Sequence, residues 1–239
     1  MQNMRESLME RKAWMYTNFM PNALRVLSRY GGLFLQGAGI TLLLSAITVF
    51  FGAIFGSLLA LMRRSRLGPV RWLATTYVEV VRGTPLLLQL YVFYFILPDL
   101  VRFISLSKFA SVSIALIFNS AAYVCEIARA GIAAVDPGQA EAARSLGLGA
   151  RQTMARVVLP QAIKNILPAL GNEFVTVIKE TSLASVFFVG DLMTQYNIVK
   201  GNMHLVIEPL MIVGVVYFVL TFVLSKLIAR YERRLKASD

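Results

Sequence analysis

Asp136 to Ala162 reads DPGQAEAARSLGLGARQTMARVVLPQA, a polar and charged island of 27 residues in a chain otherwise made of long apolar runs. Asp136 is an N-cap residue. Pro137 suits the first helical position, where its missing N–H costs nothing, and Gln139 three residues after the cap completes a capping-box pattern. These signals predict a helix from Pro137 through Leu146. Gly147 or Gly149 ends it, because either can take the left-handed conformation. Beyond the turn, Met154, Val157, Val158 and Gln161 recur at helical spacing as far as Pro160, predicting a second helix that climbs back toward apolar surroundings. Ala140 and Ala143 share a face with Gly147 one turn on. The expectation is a shallow surface on which another protein's backbone can come close, framed by Glu141, Arg144 and Arg151.

Composition says where such an island sits. The 239 residues are 57% hydrophobic and 15% charged, and the mean hydropathy is +0.64. A soluble domain of this size cannot hide that much apolar surface, so the chain reads as an all-α membrane protein. The net charge of +11 suggests nucleic acid only in a soluble protein. Here the positive residues cluster between and beside apolar runs, and membrane topology accounts for them. One cysteine, Cys125, excludes an intramolecular disulfide or a Cys-based metal site. One histidine, His204, is too few for a zinc cluster. No metal, cofactor or nucleic acid is implied.

Working outward from the island gives five spans. Gly31 to Met62 is free of formal charge over 32 residues, where a span needs about 20, and Gly52 with Gly56 forms a GxxxG pair suited to close packing. Arg63, Arg64, Arg66 and Arg71 then mark a cytoplasmic loop. The second span is about 70–97. An external loop with Arg102 and Lys108 follows, then a third span of about 109–133, which returns the chain to the cytoplasm and places residues 136–162 inside the cell. The fourth and fifth spans are about 165–190 and 209–229, and Arg230, Arg233, Arg234 and Lys236 make 230–239 a cytoplasmic tail. Residues 1–30 are mixed in polarity; Trp14, Tyr16, Phe19 and Tyr30 suit a segment lying at the membrane interface. Five spans with the C-terminus inside put the N-terminus outside, against the five positive residues that precede Gly31.

Ionisable groups within spans mark either a path or a paired contact. Glu79 with Arg82 and Glu126 with Arg129 are spaced i,i+3, so each pair can neutralise itself on its own helix. Arg82-Gly83-Thr84-Pro85 predicts a broken helix, since Pro85 removes a donor and Gly83 loosens the backbone. Lys179-Glu180-Thr181-Ser182 offers both charges and two hydroxyls, complementary to a zwitterion, and Asn119 adds a donor and an acceptor. The candidate substrate path is therefore Glu79, Arg82, Thr84, Asn119, Lys179, Thr181 and Ser182.

Glu141, Ala142, Ala143, Gly147, Val157, Leu159 and Pro160 match the pattern Glu-Ala-Ala, three residues, Gly, nine residues, aliphatic, one residue, Leu-Pro. This resembles the EAA loop in the permease subunits of ABC importers (type I transmembrane domains). Glu79-Val-Val-Arg-Gly-Thr-Pro85, Ser120-Ala-Ala-Tyr-Val-Cys-Glu126, Pro137-Gly-Gln139, Pro160-Gln-Ala162 and Lys179-Glu-Thr-Ser-Leu183 are similar to the polar amino acid subfamily. The resemblance runs from about Gly31 to the C-terminus; Ala130 departs from it, standing where a second Gly is usual. It implies that Glu141, Ala142, Ala143, Gly147, Leu159 and Pro160 form a coupling helix docking on a cytoplasmic ATPase. It further implies a multi-pass protein of the cell inner membrane that moves polar or charged amino acids, opines or close analogues, with two ATPase subunits, a second permease subunit and an extracytoplasmic solute-binding protein as partners. The chain carries no Gly-x4-Gly-Lys-Ser/Thr loop, so ATP hydrolysis falls to another subunit and the chain itself is no enzyme. The competing reading is an ATP-independent oligomeric channel or secondary carrier. An odd number of spans, which cannot form two equal inverted halves, counts against it.

Overall fold

The computed structural model describes the backbone of residues 2–100 and 106–236 and the side chains of residues 18–100 and 106–234. The first helix, α1 (Gln2–Arg63), is unbroken over 62 residues. At 1.5 Å per residue it is about 93 Å long, far more than the roughly 30 Å of hydrocarbon a span must cross. One stripe of α1 faces the rest of the molecule: Ala23, Val26, Phe34, Ala38, Thr41, Leu44, Ser45 and Thr48 recur at helical spacing and are buried. Residues 18–30, expected at the membrane interface, are continuous with the first expected span. Their helix is the same one, and Val26 and Phe34 pack against Leu192, Tyr196 and Val213. The side chains of Trp14 and Tyr16 lie outside the described residues.

α2 (Gly68–Arg82) and α3 (Leu86–Phe95) replace the single expected span of about 70–97. The chain bends by 107° between them, at the Gly83-Thr84-Pro85 break the sequence predicts. A single turn, α4 (Leu97–Leu100), follows. Arg102 of the expected external loop lies outside the described residues. α5 (Lys108–Ala133) starts at Ser107, whose hydroxyl accepts from the Ala110 N–H at 3.1 Å, and it is the central helix of the bundle. On the α1 side of it, an added Cβ at Gly52 meets Ser120 Oγ at 2.8 Å, and one at Gly56 meets the Ala121 carbonyl oxygen at 2.7 Å. The GxxxG pair is what lets these two helices touch through their backbones.

α6 (Pro137–Ser145) and α7 (Ala150–Thr153) form the hairpin; a π-turn over Met154–Val158 joins α7 to α8 (Leu159–Glu180). A 3-10 segment (Thr181–Phe187) ends α8, so the fourth span stops being α-helical at Glu180 rather than near residue 190. α9 (Leu192–Met203), unforeseen from the sequence, is capped by Asp191 and leads to α10 (Ile207–Lys236). Among the described residues, Asn18–Arg63, Lys108–Ala133 and Ile207–Arg234 are long and apolar enough to cross a membrane, and the bent α2–α3 pair makes a fourth if counted as one span. α8 does not join them, because Gln161, Lys164, Asn165, Asn172, Glu173, Lys179 and Glu180 make it too polar.

α1, α5 and α10 run in one direction, and α2 and α8 run back in the other. Arg63 at the end of α1 meets Glu126 near the end of α5, and Ile132 packs with Val158 at the entry to α8. At the far end of α1, Asn22 Nδ2 donates to Glu208 Oε1 (3.2 Å) at the start of α10. Hence the Arg63–Arg71 turn, the α6–α7 hairpin and the C-terminal end of α10 lie at one end of the bundle, with Arg25 and Arg29 at the other.

Candidate functional site

The hairpin is built as a rigid body. Asp136 Oδ1 accepts from the Gly138 N–H at 2.7 Å, which is the cap the sequence predicts. The reciprocal half of the capping box is missing: Gln139 Oε1 faces Gln161 Nε2 across the hairpin instead. The turn is a Schellman motif, with Leu148 N–H donating to the Ala143 carbonyl (3.1 Å) and Gly147 N–H to that of Arg144 (3.0 Å). Gly147 has φ +90°, so it and not Gly149 supplies the left-handed residue.

The small-residue face is turned the other way from the sequence expectation. Ala143 is buried, and Ala140 packs with Ile132, Val135, Met154, Val158, Ala162 and Ile166. These alanines let α6 sit close against its own chain. What faces outward is Glu141, Ala142, Arg144 and Ser145, with Leu146 84% exposed at the tip. Leu159 and Pro160 are exposed at the base of the hairpin. The returning helix does not stop at Pro160. A proline ring clashes with the carbonyl four residues before it, here Arg156; widening the helix to a π-turn, in which Leu159 N–H reaches back to the Met154 carbonyl, moves that carbonyl aside. α7, the π-turn and α8 thus run on as one rod from the tip of the hairpin into the bundle.

The intramembrane polar residues fall into separate places rather than one site. Glu126 gathers three guanidinium groups: Arg63 from α1 in direct contact, Arg129 Nε and Nη2 at 2.9 Å, and Arg82 Nη1 from α2 at 3.7 Å. Arg82 also lies over the Tyr123 ring, 5.5 Å from its centroid. The i,i+3 pairing of Glu126 with Arg129 holds, whereas Arg82 turns to Glu126 and not to Glu79. Glu79 is exposed and makes no ion pair among the described residues.

Thr84 and Asn119 belong to the brace of the helix break. The Gln89 amide, 7% exposed, donates to the Val81 carbonyl (2.8 Å), the Thr84 carbonyl (3.2 Å) and Thr84 Oγ1 (2.9 Å), while its oxygen accepts from Asn119 Nδ2 at 2.9 Å. The backbone groups freed at the break are satisfied by Gln89, four residues beyond Pro85, and by the Thr84 hydroxyl, which donates to the Val80 carbonyl at 2.9 Å. Gln89 was not among the sequence candidates; its signal was a lone amide in the apolar run Leu86 to Phe95. Thr181 is fully buried and its hydroxyl donates to the Ile178 carbonyl at 2.7 Å. Lys179 is exposed and, with Ser182, lines an open groove of about 470 Å³ that Met193 of α9 and Met211 and Tyr217 of α10 also line. A further polar bond was also missed: Ser120 Oγ donates to Glu173 Oε1 at 3.0 Å, joining α5 to α8 where Gly52 comes close.

A bundle of apolar helices, broken at one braced elbow and bearing a stiff polar hairpin at one end, defines a membrane-embedded transport subunit. The chain belongs to the family of binding-protein-dependent transport system inner membrane components, matched over residues 52–237. This is a family of transporter permeases, not of enzymes. The arginine transport system permease protein ArtQ of Bacillus subtilis is 42% identical over 205 residues, 86% of this chain and 93% of that protein. The probable glutamine ABC transporter permease protein GlnM of the same organism is 39% identical over 206 residues, 86% and 94% of the two chains. Among solved structures, a chain of an amino acid ABC transporter with histidines superimposes with TM-score 0.83 at 45% identity, covering 87% of this chain and 96% of that one. The MetNI methionine ABC transporter, at 19% identity and TM-score 0.69, shares the fold.

Proposed function

We propose that the chain is one half of a transmembrane pair in the cell inner membrane. Its partners are a second permease subunit, identical or similar, two cytoplasmic ABC ATPases and an extracytoplasmic solute-binding protein. The cargo is a polar or charged amino acid or a close analogue, as the names of the arginine and glutamine relatives suggest. The end carrying the Arg63–Arg71 turn, the hairpin and the C-terminal end of α10 faces the cytoplasm, because three clusters rich in arginine gather there.

One observation carries the reading: α6 is anchored by Ala143 while Glu141, Ala142, Arg144 and Leu146 project outward, and the hairpin continues as a rod into α8. Movement of a docked ATPase is thereby passed to α5 and α8 together. ATP-driven closure tilts these helices and exchanges an inward-open for an outward-open cavity. The lever transmits a difference in binding between two states, not chemistry. Lys179 and Ser182, lining the groove beside α10, are the polar groups best placed to meet a solute carboxylate.

Uptake of labelled arginine, glutamine and histidine into vesicles holding the reconstituted complex tests this. Uptake is expected to require internal ATP and the binding protein. Uptake that persists after ATP depletion with the ion gradient intact overturns the reading in favour of a carrier. Lys179→Met is expected to lower uptake severalfold with the complex still assembled; equal loss of assembly makes Lys179 structural.

A further inference from the structure

We propose that the arginine-lined pocket between the ends of α1 and α5 and the start of α2 holds the phosphodiester of an anionic phospholipid. The pocket is a partly open cavity of about 220 Å³ whose polar lining is Arg63, Arg64, Arg71, Thr75 and Arg129. It has the volume of about seven water molecules in liquid, enough for a phosphate group and the carbons bonded to it. The shared chemistry is that of a phosphate oxyanion, which planar guanidinium forks and a hydroxyl donor grip well.

Charge arithmetic says the pocket is unfilled by the protein itself. Four arginines line it, and the nearest carboxylate, Glu126, is already shared among Arg63, Arg82 and Arg129. Arg64 and Arg71 have no carboxylate within ion-pair distance among the described residues. Like charges set side by side repel one another, and an anion between them turns that repulsion into attraction.

The surroundings favour a lipid over a dissolved anion. Leu67, Trp72 and Leu73, immediately beside Arg71, are 65%, 68% and 58% exposed. An exposed tryptophan among leucines at the end of apolar helices is the pattern of a membrane interface, where headgroups lie. Thr75 sits one turn beyond Arg71 on the face toward the pocket, while Trp72 and Leu73 face away from it toward acyl chains. Basic pockets between helices at the cytoplasmic side are suited to anionic headgroups.

Native mass spectrometry of the purified permease–ATPase complex in neutral detergent tests this, with phosphatidylglycerol, chain-matched phosphatidylethanolamine and inorganic phosphate as separate titrants. The readout is binding, so it stands or falls independently of the transported solute. Phosphatidylglycerol is expected to bind preferentially, about fivefold more weakly in R64Q and about 30-fold more weakly in R64Q/R71Q, from about 1 kcal/mol of attraction per arginine. Both substitutions leave the three ion pairs of Glu126 in place. R71K, which keeps the charge, is expected to lose less than R71Q, and R66Q, outside the pocket, to bind as the parent does. Equal binding of the two lipids, or an R66Q loss as large as that of R71Q, overturns the proposal. Displacement of phosphatidylglycerol by millimolar phosphate assigns the pocket to a soluble anion and overturns the lipid.

Discussion

Gly147 at φ +90° has open space around it, since nothing lies within 4 Å of where a Cβ would stand. The restriction there is in the backbone alone. An ordinary L-residue in the left-handed region costs about 1–2 kcal/mol, a β-branched one more, and Asn least. Gly147→Val is therefore expected to uncoil the hairpin tip and reduce ATPase co-purification, while Gly147→Asn keeps both; equal behaviour of the two variants removes the backbone argument. Glu126 poses the opposite case, a side chain defined by its neighbours. Its carboxylate is 18% exposed and tied to Arg63 and Arg129 by charged hydrogen bonds. Each such bond is worth about 1.5–3 kcal/mol, and its loss leaves like charges facing each other. Glu126→Gln should lower the melting temperature of the solubilised complex. In a cycle with Arg63→Gln, the double variant should cost less than the sum of the singles by about 0.5–3 kcal/mol. Additive losses mean that the pair does not interact.

The element that sequence reasoning placed best is the break between α2 and α3. Gly83 and Pro85 announce it locally, and a 107° bend follows. What the local signal could not disclose is how the break survives among apolar helices, because the answer lies at Gln89 and, across the bundle, at Asn119. Gln89→Leu leaves the Val81 and Thr84 carbonyls and the Asn119 amide without their partner, at about 1–3 kcal/mol for each buried group. The variant should insert normally but unfold at lower temperature and transport poorly. Asn119→Ala should then add little in the Gln89→Leu background, whereas an undiminished second loss gives Asn119 a separate role. The same limit explains the other element-scale differences. Periodicity and caps were legible at Pro137 and Gly147, but α9 is short and mixed in composition. The passage of the helix through Pro160 depends on a π-turn, for which the residues alone carry no mark.

At the scale of the molecule, apolar run length and arginine clustering conveyed the helical membrane bundle, yet not which side of α6 faces it. Two alanines look alike from sequence whether they admit a partner or the chain's own core; the burial of Ala143 and the packing of Ala140 with Val158 and Ala162 decide for the core, while Gly147 stays open. The two faces of α6 can therefore be tested separately. Leu146 is 84% exposed and belongs to no apolar cluster of the chain, so Leu146→Asp removes nothing from the chain's own fold and places a charge on the surface offered to the ATPase. Ala143, 5% exposed, has no room for a larger side chain, and overpacking there costs about 1–3 kcal/mol. Leu146→Asp should leave the yield and melting temperature of the isolated permease unchanged while lowering ATPase binding and ATP-driven uptake together. Ala143→Leu should lower the melting temperature of the permease even without the ATPase, because it pries the lever from its anchor. If Leu146→Asp binds the ATPase as well as the parent does, the exposed tip is not the docking surface, and force must enter the bundle elsewhere.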